Sequence, residues 1–252
     1  MPQIGIYSER ELKGAKDLVK ELIRVVRACR LYAQDHPALE EMAATLRRRW
    51  EEATAAGPIA LTVERYLGLV AAGALQADDR VELLNGVVVS MAPIDPAHAA
   101  SVNRAEYALR RVLADRATLR TQSPFCAGEH SLPEPDLAVV PGRPGDYDRE
   151  HPHTALLLVE VSGSTLKQDR ITKAAIYAAA GIPEYWIVNL RDDRVEVHRD
   201  PDRATARYRS VRHHDRGERL TLCALPGESV NAADLLPDRE REEAGGARRD
   251  PV

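Results

Sequence analysis

The stretch LLLVEVSGST at residues 156–165 limits the possible folds more than any other part of this chain. An aliphatic run of this length, ended by a polar turn, predicts a central strand buried on both faces of a sheet. Glu160 sits inside it. A carboxylate there does not stay ionised alone: it takes a proton, a cationic neighbour or a metal ion. The fold must therefore supply Glu160 with a partner.

Upstream, PDLAVV at 135–140 predicts a second strand, separated from the strand at 155–161 by the loop 141–155. Antiparallel pairing sets residues equidistant from the loop centre opposite each other. Asp136 and Glu160 are equidistant from position 148, so the two carboxylates fall side by side. Such a pair can share a proton, pair with arginines, or hold a divalent cation such as Mg²⁺. Pattern alone leaves these open.

Downstream, residues 166–180 predict a helix that is apolar on nearly every side, through Ile171, Ala174, Ala175, Ile176, Ala178 and Ala179, and hence largely buried. Asp169, Lys173 and Tyr177 recur every four residues and stack on one face. Lysine is scarce: the chain has 35 basic residues, and its lysines are Lys13, Lys16, Lys20, Lys167 and Lys173. A lysine on a buried helix needs a partner, either Asp169 alone or the Asp136/Glu160 pair. Lys167 points roughly opposite to Lys173 at ~100° per residue and reads as solvated.

The remaining pattern predicts a mixed α/β sheet with flanking helices. Asn85-Gly86 between the runs VELL and VVVS is a type I′ hairpin signal. A short helix at about 63–72 precedes it, and a long helix at about 97–115 follows, with Val102, Ala105, Leu109 and Val112 on one face. Strands are expected at 118–122, 135–140, 155–161 and 184–190, then RVEVHR, with weaker strands at 205–212 and 218–223 closing the sheet. Residues 1–57 read as a separate helical hairpin. Its stripes (Leu18, Leu22, Val25; Leu39, Met42, Leu46) need cover from the core, a partner or a second copy. The main domain spans 58–237, and the charged, glycine-containing 238–252 reads as a disordered tail.

Composition narrows the functional classes. The formal net charge of −4 and pI near 6.1 exclude a basic nucleic-acid coat, so any nucleic-acid contact is local. Three scattered cysteines without a CxxC pair read as a reduced chain with no structural zinc. No apolar stretch approaches the ~18 residues of a membrane span, and the expected location is cytoplasmic.

Glu82 in VELLNG, then EPDLAVV, LLVEVSGST, Asp169-x-x-x-Lys173-x-x-x-Tyr177 and GIPEYWIV occur in order. This set resembles the Uma-type family of putative restriction endonucleases, bacterial members of the PD-(D/E)XK nuclease superfamily, over about residues 61–200. The resemblance implies the restriction-endonuclease-like α-β-β-β-α-β core, the order already read from the chain. It also implies a Mg²⁺- or Mn²⁺-dependent endonuclease acting on DNA. Asp136 then matches the PD aspartate and Glu160 the acidic residue that follows. The superfamily's lysine is absent two residues on, where Ser162 stands, and Lys173 matches a lysine moved to the next helix. Asp136, Glu160 and Lys173 are the implied catalytic residues; Glu82, Asp136 and Glu160 are the implied metal ligands. Glu82 reads equally as an ordinary hairpin glutamate. His98 matches a recurrent family histidine, though a histidine at a helix start reads first as polar surface. A homodimer is expected, because the hairpin stripes need cover and nucleases that cut both strands often act as twofold pairs. The rival function is a non-catalytic nucleic-acid-binding or regulatory protein on the same fold.

Overall fold

The computed structural model describes residues 60–238. The predicted hairpin at 1–57 and the tail beyond 238 lie outside the described residues, as do the apolar stripes on which the homodimer expectation rests. The chain divides into two units at Val81/Glu82. In the first, helix α1 (Val63–Ala71) is capped by Thr62, whose side chain accepts from the Arg65 amide. The buried Tyr66 hydroxyl donates to the Val81 carbonyl.

The second unit carries the sheet. Strands β1 (Val81–Leu84) and β2 (Val87–Ser90) form a hairpin. Asn85 and Gly86 both have positive φ, as the type I′ turn requires. Helix α2 (Pro96–Leu113) follows, with Pro96 in its first turn and Asp95 accepting from the His98 amide. Then come β3 (Thr118–Thr121), β4 (Leu137–Val140) and β5 (Leu157–Ser162). The connection to β6 (Glu184–Asn189) is helical: α3 (Leu166–Gln168), a π-helical turn (Asp169–Lys173) and α4 (Ala174–Ala180). Gly181, at φ 78°, ends α4. Strands β7 (Arg194–Asp202) and β8 (Arg207–Asp215) complete a six-stranded sheet of order β3-β4-β5-β6-β7-β8.

Within this sheet only β5 and β6 run parallel. A parallel pair needs a crossover, and α3–α4 provides it. The pleat then assigns the faces. Leu157, Val159 and Val161 of β5 join Leu137, Val139, Trp186 and Val188 in an apolar layer against Val102, Leu109 and Leu113 of α2. The alternate residues face the crossover helices: Ala138, Val140, Leu158, Tyr185 and Ile187 pack with Leu166, Ala174, Ile176 and Tyr177. Glu160 lies on this second face, between Leu158 and Ser162.

Two sequence expectations are corrected. The segment near 218–223 does not close the sheet: β9 (Arg219–Leu222) pairs with β10 (Leu225–Asn231) in a separate two-stranded sheet, leaving β8 at the edge. The proline and glycine of LPGESVN masked β10 as a strand, and the ladder is irregular between Leu225 and Ser229. The crossover helix is also not buried all round. Ile171 is 61 % exposed, on the outward side of the π-turn. Among the described residues no helix is long and apolar enough to cross a membrane.

Candidate active site

The β4–β5 register runs Leu137 to Val159 and Ala138 to Leu158. One step further it sets Asp136 opposite Glu160, the pairing expected from the loop centre. Asp136 stands just before β4, where its carboxylate accepts from the Val161 amide at 2.8 Å. Its other oxygen accepts from Gln122 Nε2 at 3.3 Å and lies 3.0 Å from His98 Nε2. His98 reaches the site because α2 begins there. It is therefore not the free polar surface residue that its helix-start position suggested. Asp136, with help from Asp95 and Asp169, raises the His98 pKa against the lowering effect of burial.

Glu160 is 4 % exposed. Lys173 Nζ donates to its Oε1 at 2.9 Å, and the Tyr177 hydroxyl donates to the same oxygen at 2.8 Å. Lys173 Nζ also lies 3.2 Å from Glu82 Oε2, so one ammonium joins two glutamates from different sheets. Glu82 is buried as well, and it accepts from the Glu134 amide at 3.1 Å and from Gln168 Nε2 at 3.4 Å. The simple helix pair between Lys173 and Asp169 is replaced by this bridge. Asp169 instead accepts from Ser162 Oγ at 2.5 Å and Thr165 Oγ1 at 2.7 Å. Ser162, at the position where the superfamily's lysine is missing, thus anchors the aspartate of the next helix. Lys167 is exposed.

The electrostatics follow from a shortage of positive charge. Burial pushes the Glu160 carboxyl well above the usual carboxylate range; Lys173 opposes this, while Asp169, Asp136 and Glu82 add to it. Burial would lower Lys173, but Glu160, Glu82 and Asp169 override it and hold the ammonium above its ordinary value. Burial likewise raises Asp169. The cluster therefore has four carboxylates facing one lysine and a partly exposed histidine.

This donor set fits a hard divalent cation, which prefers carboxylate oxygens and would offset the excess negative charge. Asp136, Glu160 and Glu82 could supply the oxygens. Among the described residues no three His, Cys, Asp or Glu side chains are already gathered into a metal cage. The Lys173 ammonium lies between Glu160 and Glu82 instead.

Sequence reasoning missed Gln122 entirely and gave His98 little weight. The signal for Gln122 is visible only in the backbone: φ of 44° where β3 ends, with its amide bonded to the Asp136 carbonyl at 3.0 Å. His151 and His214 are half-buried and His153 and His213 exposed, all outside the contacts described for this cluster.

The fold has solved counterparts. The crystal structure of a putative nuclease belonging to DUF820, from Anabaena variabilis, aligns with a TM-score of 0.57 over 69% of this chain and 97% of that chain. At 14% identity that likeness is one of fold. No curated protein matches the chain significantly. Residues 63–233, well over half of the sequence, match the Uma2 family, described as "Putative restriction endonuclease", and the chain belongs to that family.

Proposed function

We propose that the protein is a cytoplasmic, Mg²⁺- or Mn²⁺-dependent endonuclease that hydrolyses DNA phosphodiester bonds. The observation that carries this reading is the charge imbalance at the β4–β5 strand ends. Asp136 and Glu160 lie side by side in a buried cluster of four carboxylates with one lysine, on a nuclease-type sheet. A buried acid held away from its ordinary pKa by burial, beside a specific cationic partner, is a candidate functional group, and Glu160 beside Lys173 is one.

Asp136 and Glu160 would hold the cation, with Glu82 as the further carboxylate of the cluster. Bound there, it would neutralise charge at the scissile phosphate and lower the pKa of a bound water. The chain's own residues do the rest. His98 and Gln122 fix one Asp136 oxygen and the Val161 amide fixes the other. Tyr177 holds Glu160 in place. Lys173 stabilises the negative charge that grows on the phosphoryl oxygens, or orients the attacking water. The homodimer is part of the proposal and rests on the apolar stripes of residues 18–25 and 39–46.

Plasmid DNA incubated with the protein and Mg²⁺ or Mn²⁺ should be nicked or linearised, and Asp136→Ala should abolish this. No cleavage by wild type with either metal, over a range of substrates, refutes the catalytic reading. A second reading is favoured by one observation, the Lys173 bridge, which closes Glu160 and Glu82 on each other as a finished structural pair. On that reading the protein binds nucleic acid or a regulatory partner without cutting. Calorimetric titration with Mn²⁺ separates the two: binding lost in Glu160→Ala supports the nuclease, and no binding by wild type supports the binder.

A further inference from the structure

The segment that carries Lys173 is not a regular helix. The Ala174 amide bonds to the Asp169 carbonyl, an i to i+5 contact, in a π-turn over Asp169–Lys173. π-turns are rare and hold one residue more than the α-helix around them. Here each side of the turn is anchored separately. On the entering side Asp169 is held by Ser162 and Thr165, and its carbonyl accepts from the buried Tyr185 hydroxyl at 3.3 Å. On the leaving side Lys173 and Tyr177 are held by Glu160. A uniform α-helix would rotate one set away from its partners by ~100°, the angle of one residue.

The remaining anchor is Arg170. It forks onto Glu196 of β7, with Nε to Oε2 at 2.9 Å and Nη2 to Oε1 at 2.5 Å. Glu196 is 1 % exposed and is itself fixed by Asn189 Nδ2 at 2.7 Å. Asp169 and Arg170 are adjacent and point in different directions, so fixing both sets the rotation of the entering half. The extra residue of the π-turn absorbs the mismatch with the leaving half.

We propose that Arg170 is a positioning residue, whose fork on Glu196 keeps the π-turn wound so that Lys173 stays on Glu160. The kinetic part of this inference rests on the nuclease reading of that site; the structural part does not. Arginine is required because a lysine offers a single point of attachment and does not set a rotation.

The test compares Arg170→Met, Arg170→Lys and Glu196→Gln with wild type, and Lys167→Met serves as an exposed control. With Mg²⁺ and duplex DNA, Arg170→Met and Glu196→Gln should lower kcat by about 10²-fold, the scale of a misplaced catalytic group. KM should stay within about twofold. Arg170→Lys should recover less than about tenfold, and Lys167→Met should match wild type. A raised KM with unchanged kcat would make Arg170 a substrate contact and overturn the proposal, as would wild-type kinetics in Arg170→Met. If wild type does not cut DNA at all, the nuclease reading fails and the crystal structure of Arg170→Met decides. An α-helical Lys173 amide to Asp169 carbonyl bond, with Nζ withdrawn from Glu160, upholds the proposal. A retained π-turn with Lys173 still on Glu160 overturns it. If Arg170→Met does not fold, Glu196→Gln, which keeps the shape of the buried side chain, carries the same measurements.

Discussion

Two groups of buried acids lie on the six-stranded sheet and the elements packed against it, and they are neutralised in different ways. Around β6 and β7 each acid faces a guanidinium. Glu184 receives two bonds from Arg199, one from the Trp186 indole and one from the Cys223 amide. Glu196 receives the Arg170 fork and Asn189. Around β4 and β5, one lysine bridges Glu82 and Glu160, the partly exposed His98 faces Asp136, and Asp169 accepts from two hydroxyls. Both side chains are covered, Glu196 at 1 % exposure and Glu160 at 4 %, but Glu160 lies deeper while Glu196 meets a part-exposed arginine, so depth and pairing act together. Their pKa directions differ. Burial would raise Glu196, but its bonds to Arg170 and Asn189 hold it below the usual range, whereas Glu160 is pushed well above it. Complete pairing suits a structural acid, and the incomplete pairing around Glu160 is what the proposed cation site rests on.

Breaking the paired group should produce the largest effect. Glu184→Ala strands the Trp186 indole and the Cys223 amide and leaves the Arg199 guanidinium its bonds to Thr221. It should cost about 3–5 kcal/mol in urea unfolding, with no recovery on adding Mn²⁺. A cost below about 1 kcal/mol would remove the distinction between the groups.

In the paired region His198 responds to mildly acid pH. His198 is 6 % exposed, with Nε2 4.0 Å from Glu196 and no hydrogen-bond partner. Burial pushes its pKa down to about 4, with Glu196 opposing and His213 and Arg170 assisting. The folded value is below the ordinary 6.5, so the histidine is neutral in both folded and unfolded chains at pH 7. As pH falls from 6.5 towards 4 the unfolded chain takes up a proton that the folded one refuses, and stability is lost across that window. The loss is about 3 kcal/mol at ~1.4 kcal/mol per pKa unit. His198→Phe should flatten this part of the stability profile, measured as urea midpoints at several pH values. An unchanged slope would assign the acid sensitivity to the carboxylates.

In the under-neutralised group, Lys173→Met should reduce turnover by about 10²-fold or more, the scale of losing one transition-state donor. Lys167→Met, on the exposed side, should do little. Equal losses in the two variants, measured by single-turnover cleavage, would mean that the lysine at the reacting phosphate is misassigned.

The smallest effect is the sharpest comparison, because one isosteric change is made twice. Glu160→Gln keeps an acceptor for Lys173 and Tyr177 while removing one of four crowded charges. It should stabilise the metal-free protein by about 1 kcal/mol. Glu196→Gln removes the charge that the Arg170 fork requires, and should destabilise by about 2 kcal/mol. The same sign for both in urea titrations would contradict the contrast.

Much of the fold was legible because its signals are local. Equal distance from the loop centre at position 148 pointed to the β4–β5 register, which sets Asp136 beside Glu160. Asn85-Gly86 marked a turn whose positive φ values few other residue pairs adopt. The aliphatic run around Glu160 determined a central strand, and with it the need for a charged partner. Which partner met which acid was decided only by tertiary structure. His98 and Asp136 are 38 residues apart, Glu82 and Gln168 are 86 apart, and no periodicity spans such distances. The helix pattern placed Lys173 next to Asp169. The packed chain turned it to Glu160 and Glu82, through a π-turn that no single residue encodes. That turn exists because two sets of anchors, fixed on different strands, demand rotations one residue out of step. A chain's periodicity determines which side chains share a face, and packing decides which charges finally touch.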